Sequence, residues 1–347
     1  MGAPPTPARV TFVRRRLLGQ TGDEISVIGF GAWQIGGPGG EFAWKPQDDD
    51  LSIAAIHAAL DLGVNWIDTA PAYGCGHSEA VVGRAIAGLA HKPLVFTKCG
   101  CVWDADGNQW FDLSPASLRR EVEASLRRLG VDAIDLYQLH WPIRDDQLEL
   151  AWETLEEFKR EGLVRALGAS NVSVGQLERL RSIAPIAAIQ PGYSLLDRRF
   201  EDTLLPHARQ HRLGVVVYSP LQSGLLGGTI TRERMESLPP DDWRHRDPQF
   251  QEPHLSDSLT FVRCLTEIAK SLDASVAEVS VAWVLRDPVV SGAIVGISRP
   301  EQVDGIAGAA NLDLGSALAR IDECLTTTIT RPRPADRFVP PIAPKAP

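Results

Sequence analysis

Ser114-Pro-Ala-Ser-Leu-Arg-Arg-Glu-Val-Glu-Ala-Ser-Leu-Arg-Arg-Leu-Gly130-Val-Asp-Ala-Ile-Asp-Leu-Tyr-Gln-Leu-His140 holds one complete helix and the strand that follows it. Ser114 is a favourable N-cap, and Pro115 suits the first turn, where a missing N–H costs nothing. Leu118, Val122, Leu126 and Leu129 recur at helical spacing, and Gly130 is the stop. Ala133 to His140 is then a short, nearly continuous apolar run, the pattern of a strand buried on both faces.

The same alternation extends in both directions. Further strands are predicted at Val27 to Gly31, Asn65 to Ala70, Leu94 to Lys98, Val164 to Ser170, Ile186 to Gln190, Gly214 to Ser219 and Gly292 to Gly296. Helices are predicted at Leu51 to Leu62, Ser78 to Ile86, Leu148 to Glu161, Val174 to Ile183, Thr203 to His211, Leu259 to Leu272, Ala277 to Leu285 and Glu301 to Ala310. Strict strand–helix alternation implies a parallel sheet covered by helices, and eight units close into a (β/α)8 TIM barrel, an α/β fold. Residues 14–330 are read as this single domain.

Before the first unit, Arg15 to Ser26 reads as a β-hairpin that plugs the barrel bottom. Residues 227–256 lack periodicity, and so long a loop inside a compact domain points to a functional lid. The proline-rich ends, 1–13 and 331–347, cannot build a core and read as a disordered tail and a proline-rich tail.

Of 347 residues, 44% are hydrophobic and 23% charged, an ordinary globular balance, and the formal charge of −9 argues against nucleic acid as a partner. No apolar run is long enough to span a bilayer and the first residues lack a signal core, so a cytoplasmic protein with no membrane partner is expected. The five scattered cysteines read as reduced thiols. Cys99 and Cys101 are too close for the usual zinc spacing, and no metal is expected.

Chemistry in such a barrel lies at the carboxyl ends of the strands. There the sequence places Asp68 and Tyr73 after the second strand, Lys98 at the end of the third and His140 at the end of the fourth. These types together suit carbonyl reduction, in which hydride reaches carbon and a proton must reach the developing alkoxide. A phenol is a weak acid at neutral pH, so a neighbouring Lys98 ammonium is expected to lower the Tyr73 pKa, with Asp68 holding Lys98 charged. His140 would orient the substrate oxygen by a hydrogen bond or assist proton relay.

Gly63-Val-Asn-Trp-Ile-Asp-Thr-Ala-Pro-Ala-Tyr-Gly74 with Ser78-Glu79, Ser125 through Pro142, and Tyr218-Ser-Pro-Leu-Gln-Ser-Gly-Leu-Leu226 carry a family resemblance. From Arg15 to about Leu314 the chain resembles the aldo-keto reductases of the bacterial type that is also similar to potassium-channel β subunits. The resemblance implies a catalytic tetrad at Asp68, Tyr73, Lys98 and His140, and reduction of aldehydes or ketones by NADPH.

The resemblance also implies a nicotinamide held by Ser170, Asn171 and Gln190 and stacked on Tyr218, with Gly31, Ala32, Trp33 and Asp68 nearby. Two amides and a hydroxyl satisfy a carboxamide's donors and acceptors together. Backbone amides around Ser219, Leu221, Ser223 and Gly224 suit a pyrophosphate, because small residues let the chain approach closely, and Pro220 and Leu226 are taken as further cofactor contacts. The adenosine end would meet Gly296, Ser298, Arg299 and Gln302. Ser298 stands where the family is often basic and Ile306 where it is commonly Asn; Arg299 offers a partner for a 2′-phosphate. NADP is favoured, with NADH the second candidate. Gly29-Phe-Gly31 is not a dinucleotide-fold signature, because the third glycine is missing.

Among nine tryptophans, Trp33, Trp103, Trp110 and Trp141 fall on or after strand ends. With Tyr73 and His140, three of them (Trp33, Trp103 and Trp141) are taken to line a pocket for a small-molecule carbonyl, bulky or cyclic, although a scaffold role for the rim rings stays open. Trp66, Trp152 and Trp283 are assigned to packing. The competing function is a nucleotide-binding redox-sensing or regulatory subunit with little turnover. An aldolase using Lys98 as a Schiff-base nucleophile is disfavoured by Asp68 beside it.

Overall fold

In the computed structural model, residues 13–39 and 43–329 are described. The two proline-rich ends, on which the tail expectations fall, lie outside them apart from Val13. A hairpin comes first, β1 (Arg15–Leu17) with β2 (Glu24–Ser26). The barrel strands follow: β3 (Ile28–Gly31), β4 (Trp66–Asp68) and β5 (Leu94–Cys99). A second hairpin, β6 (Cys101–Trp103) with β7 (Gln109–Phe111), interrupts the series. It resumes with β8 (Ile134–Leu139), β9 (Val164–Ser170), β10 (Ala188–Gln190), β11 (Gly214–Val217) and β12 (Gly292–Gly296). The eight are parallel and close in the order β10-β11-β12-β3-β4-β5-β8-β9. All eight predicted strands are present, and the (β/α)8 barrel is the fold.

The outer layer is α1 (Asp49–Asp61), α2 (His77–Ile86), α3 (Pro115–Leu129), α4 (Leu148–Arg160), α5 (Val174–Arg181) and α6 (Leu204–His211), then α7 (Arg232–Glu236), α8 (His254–Ser271), α9 (Val276–Val284), α10 (Glu301–Ala307) and α11 (Ala317–Thr328). In α3 the Ser114 hydroxyl accepts from Ser117 N–H and Gly130 ends the helix at φ 63°, as its sequence requires. None of the described helices is long and apolar enough to cross a membrane.

The barrel interior is filled by Trp66, Phe96, Leu136, Ala166, Ala188, Val216 and Ile294, and the first hairpin adds Leu18 and Ile25 from below. The hairpin therefore closes the bottom as expected. Gly29 is glycine because a Cβ there would stand 2.2 Å from the Trp66 ring. Trp152 and Trp283 are fully buried between helices and barrel. Burying an aromatic side chain of this kind contributes roughly 1.5–3 kcal/mol.

Three features depart from the sequence expectations. Residues 227–256 are compact rather than irregular: α7 and two short 3-10 turns pack Ile230, Met235, Trp243, Phe250 and Leu255 into a small core. Helix α11 has only Ala317, Ile321 and Cys324 buried, too sparse a stripe to stand out. Cys264 and Cys324 are not reduced thiols but a disulfide joining α8 to α11, with Cα atoms 6.1 Å apart. The pairing of those helices brings together residues separated by 60 positions, which spacing alone cannot reveal.

Candidate active site

The turn after β4 sets Tyr73. Gly74, Cys75 and Gly76 have φ of 62°, 52° and 93°, a left-handed run that non-glycine residues rarely enter. A Cβ on Gly74 would come within 1.9 Å of Gly36 O. The turn is fastened to α2 by Gly76 N–H donating to Pro71 O at 2.7 Å and Ser78 N–H to Tyr73 O at 3.2 Å. Below it, Glu79 accepts from Thr97 Oγ1 at 2.6 Å and Arg128 Nε at 2.7 Å. The Ser78-Glu79 pair thus positions Tyr73 through α2.

Lys98, at the end of β5, is the centre of the group. Its Nζ donates to Asp68 Oδ1 at 2.6 Å, Thr69 O at 3.0 Å and Tyr73 Oη at 3.2 Å. The Lys98 and Asp68 side chains are only 1% and 4% exposed. Asp68 Oδ2 accepts from Gln190 Nε2 at 2.7 Å and Gln138 Nε2 at 3.4 Å, so both carboxylate oxygens are satisfied. The His140 ring stands edge-on to Tyr73, 5.8 Å between centres. The structure therefore brings the four predicted residues together.

Their electrostatics differ in one respect from expectation. Burial favours a neutral Lys98, but Asp68 and Tyr73 outweigh it and hold the ammonium above its ordinary pKa. Burial pushes the Tyr73 phenol up by more than Lys98 pulls it down, so its pKa is raised rather than lowered. Lys98 partly offsets a desolvation penalty instead of making Tyr73 acidic in the resting chain. Burial, then Lys98, drives His140 well below the usual histidine range, leaving a neutral imidazole. The Cys101 thiol is pushed up to about 12 by burial, which excludes a thiolate nucleophile beside Tyr73.

A cavity of about 740 Å³ runs from Tyr73, His140 and Trp141 past Ser170, Asn171, Gln190 and Tyr218. It continues along Ser219, Pro220, Leu221, Ser223 and Gly224 to Gly296, Ser298, Arg299 and Gln302, with Gly31, Ala32 and Trp33 on the near wall. Its shape and chemistry fit a nicotinamide dinucleotide. Tyr218 Oη donates to Asn171 Oδ1 at 2.7 Å, and Asn171 Nδ2 donates to His140 O and Ser170 Oγ, both at 3.0 Å, so an aromatic face and the polar groups beside it are locked together. Asn171, Ser219, Gln222 and Ser223 all have positive φ, a strained backbone of the kind that accumulates at ligand sites. Two buried polar atoms on this wall, His140 Nδ1 and Gln34 Oε1, have no hydrogen-bond partner among the described residues.

Some predicted residues are placed differently. Leu226 is fully buried, its carbonyl accepting from Ser280 Oγ at 3.2 Å, and it supports the loop from beneath. Gln302 stays on the cavity wall as expected, and its Oε1 also accepts from the backbone N–H groups of Ser298 at 2.8 Å and Arg299 at 3.2 Å, shaping that loop. Trp103 lies against Arg128, whose guanidinium is 5.9 Å from its ring centre, and neither Trp103 nor Trp110 is among the described lining residues. The short β6–β7 hairpin turns them away and offers Cys101 and Gln109 instead.

Other residues escaped the sequence reading. Trp33 meets Trp44 edge-on at 5.2 Å and Trp243 at 5.7 Å, which couples residues 227–256 to the rim. Arg244 fastens the same segment, paired with Asp242 at 2.7 Å and lying 5.3 Å over the Trp44 ring. Gln138 shares the facing of His140 two positions on, a parity signal that was available. Trp44 and Trp243 sit in aperiodic segments and carried no such signal.

Residues 27–326 match the model of the Aldo/keto reductase family. This chain belongs to that family. It is 37% identical over 327 residues to Aldo-keto reductase YhdN of Bacillus subtilis (strain 168), covering 93% of this chain and 97% of the relative. It is 36% identical over 318 residues to the NADH-specific methylglyoxal reductase of Escherichia coli (strain K12), covering 88% and 95%. Among solved structures it resembles the glycerol dehydrogenase AKR11B4 from Gluconobacter oxydans, with a TM-score of 0.83, 37% identity, and 94% and 98% of the two chains covered. The aldo-keto reductase is thus an oxidoreductase that acts on small carbonyl compounds with a nicotinamide cofactor.

Proposed function

We propose that this aldo-keto reductase reduces an aldehyde or ketone to an alcohol with NADPH, Tyr73 being the proton donor. The observation that carries the reading is Lys98 Nζ, which touches Asp68 and Tyr73 at once beside a cavity wall that includes His140. Bound along the groove, a nicotinamide supplies the hydride. Neutral His140 and Tyr73 Oη hold the carbonyl oxygen between them, and Tyr73 passes its proton to that oxygen as negative charge builds there. The resulting tyrosinate is stabilised by Lys98, whose ammonium is kept charged by Asp68. A positioned proton donor of this kind contributes roughly 10²–10⁴ in rate.

Arg299 and Arg234, both on the cavity wall, are the cations for the dinucleotide phosphates and support NADP. The relative named as NADH-specific supports NADH as the second candidate. Trp33, Trp44 and Trp141 on the wall support a cyclic or aromatic carbonyl, since flat rings bury most area against such faces.

The alternative of a nucleotide-binding regulatory subunit is less well supported, because the tetrad is intact and its charges are satisfied. Turnover of small polar, aromatic and polycyclic carbonyls, measured with NADPH and with NADH, separates these readings. Reduction of at least one class, faster with NADPH, is expected. Tight nucleotide binding without turnover of any carbonyl would favour the regulatory reading.

A further inference from the structure

On the outer face of the barrel, away from the reductase cavity, α6 presents His207 and His211 one turn apart, and α5 presents Glu178 beside them. His207 Nε2 lies 3.1 Å from Glu178 Oε1, and His211 Nε2 lies 3.7 Å from the same oxygen. One ligand-capable atom from each residue falls within 4.8 Å of the other two. Zinc–ligand bonds of about 2.0–2.2 Å in tetrahedral geometry separate neighbouring ligand atoms by about 3.3–3.6 Å. The two separations, 3.1 and 3.7 Å, fall just either side of that interval.

The ring contacts argue in the same direction. The His207 side chain is only 10% exposed, yet its Nε2 has no hydrogen-bond partner among the described residues. The carboxylate is close enough to accept a hydrogen bond but not aligned for one. Ligands of a shared ion aim at a common point rather than at each other, which produces a short, misaligned contact of this kind. Arg181 Nη1 donates to Glu178 Oε1 at 2.8 Å and fixes the carboxylate as an outer-shell partner does.

We propose that Glu178, His207 and His211 form a binding site for a divalent transition-metal ion, zinc in the first place, with water as the fourth ligand. Two imidazoles and one carboxylate are a ligand set zinc takes readily, and the 53% exposure of Glu178 leaves the remaining position open to solvent. The ion would tie α5 to α6. His211 O accepts from Gln20 Nε2 at 3.2 Å, and Gln20 belongs to the hairpin that closes the barrel bottom. The site is therefore at the opposite end from Tyr73, and its role is stabilisation rather than carbonyl chemistry. The expectation of no metal rests on the spacing of Cys99 and Cys101 alone; here the histidines are four residues apart on one helix and the third ligand comes from another.

The test uses the full chain without an affinity tag, stripped by a chelator and titrated with zinc chloride by calorimetry, with thermal unfolding in parallel. Expected are one equivalent of zinc bound, a higher unfolding temperature with zinc, and at least about ten-fold weaker binding in His211→Ala and Glu178→Gln, the lower end of what losing even an outer-shell partner costs. Carbonyl reduction should be unchanged in both variants. His211 and Glu178 are at the surface, so the variants fold, and circular dichroism checks this. Zinc binding equally tight in His211→Ala and the parent, or no zinc-dependent heat in the parent, overturns the proposal.

Discussion

Lys98 Nζ lies 3.2 Å from Tyr73 Oη, within hydrogen-bond range, while burial holds the phenol above its ordinary pKa. The pair therefore keeps the proton on Tyr73 until an alkoxide develops, and Lys98 acts on the tyrosinate left behind. Reduction should be independent of pH across the neutral range and decline only above the ordinary tyrosine value of about 10. Oxidation of the alcohol should rise with pH instead.

Lys98→Met removes the partner of a buried carboxylate. Breaking a buried pair on one side costs about 3–5 kcal/mol, so the unfolding temperature should fall by several degrees and kcat by roughly 10²-fold or more. Thermal unfolding and steady-state turnover read the two effects separately. Unchanged turnover would show that Lys98 is structural only.

Trp243 joins residues 227–256, the proposed lid, to Trp33 and Trp44. Trp243→Ala should raise KM for carbonyl substrates several-fold and speed proteolytic nicking within residues 227–256, with a smaller effect on kcat. Identical KM and nicking rates would mean that the lid is held by other contacts.

Glu121 is buried on α3, and burial pushes its carboxyl up to about 8 from an ordinary 4.5. The folded chain keeps a proton that the unfolded chain releases between those values. Stability should therefore decline as pH rises from 4.5 to about 8 and level off above. Glu121→Gln keeps an acceptor for Gly100 N–H, which Glu121 accepts at 2.8 Å, and removes that slope. Parallel stability curves for the two proteins would contradict the assignment.

The Cys264–Cys324 disulfide leaves Cys75, Cys99 and Cys101 free. Thiol titration of the denatured protein should give three groups without reductant and all five after reduction. Five without reductant would mean that α8 and α11 are held by packing alone.

The barrel was legible because parallel strands buried on both faces leave continuous apolar runs between well-capped helices. The tetrad was legible because strand ends carry the chemistry in such a fold. Gln138 shares the facing of His140, but inside an apolar strand that single parity signal is outweighed, because one amide resembles a packing compromise. Trp44 and Trp243 reach the cavity through segments with no period, and Trp103 was misplaced because a hairpin no residue pattern announced turns it toward Arg128. The disulfide and the Glu178–His207–His211 cluster depend on which helices lie side by side, and one-dimensional spacing does not encode that.

The most direct test of the central claim is the turnover of Tyr73→Phe, with nucleotide affinity measured alongside. Phe keeps the ring and removes only the hydroxyl that Lys98 contacts. The prediction is a fall in kcat of about 10²–10⁴-fold with nucleotide binding nearly unchanged. Full turnover in the Phe variant would contradict Tyr73 as the proton donor.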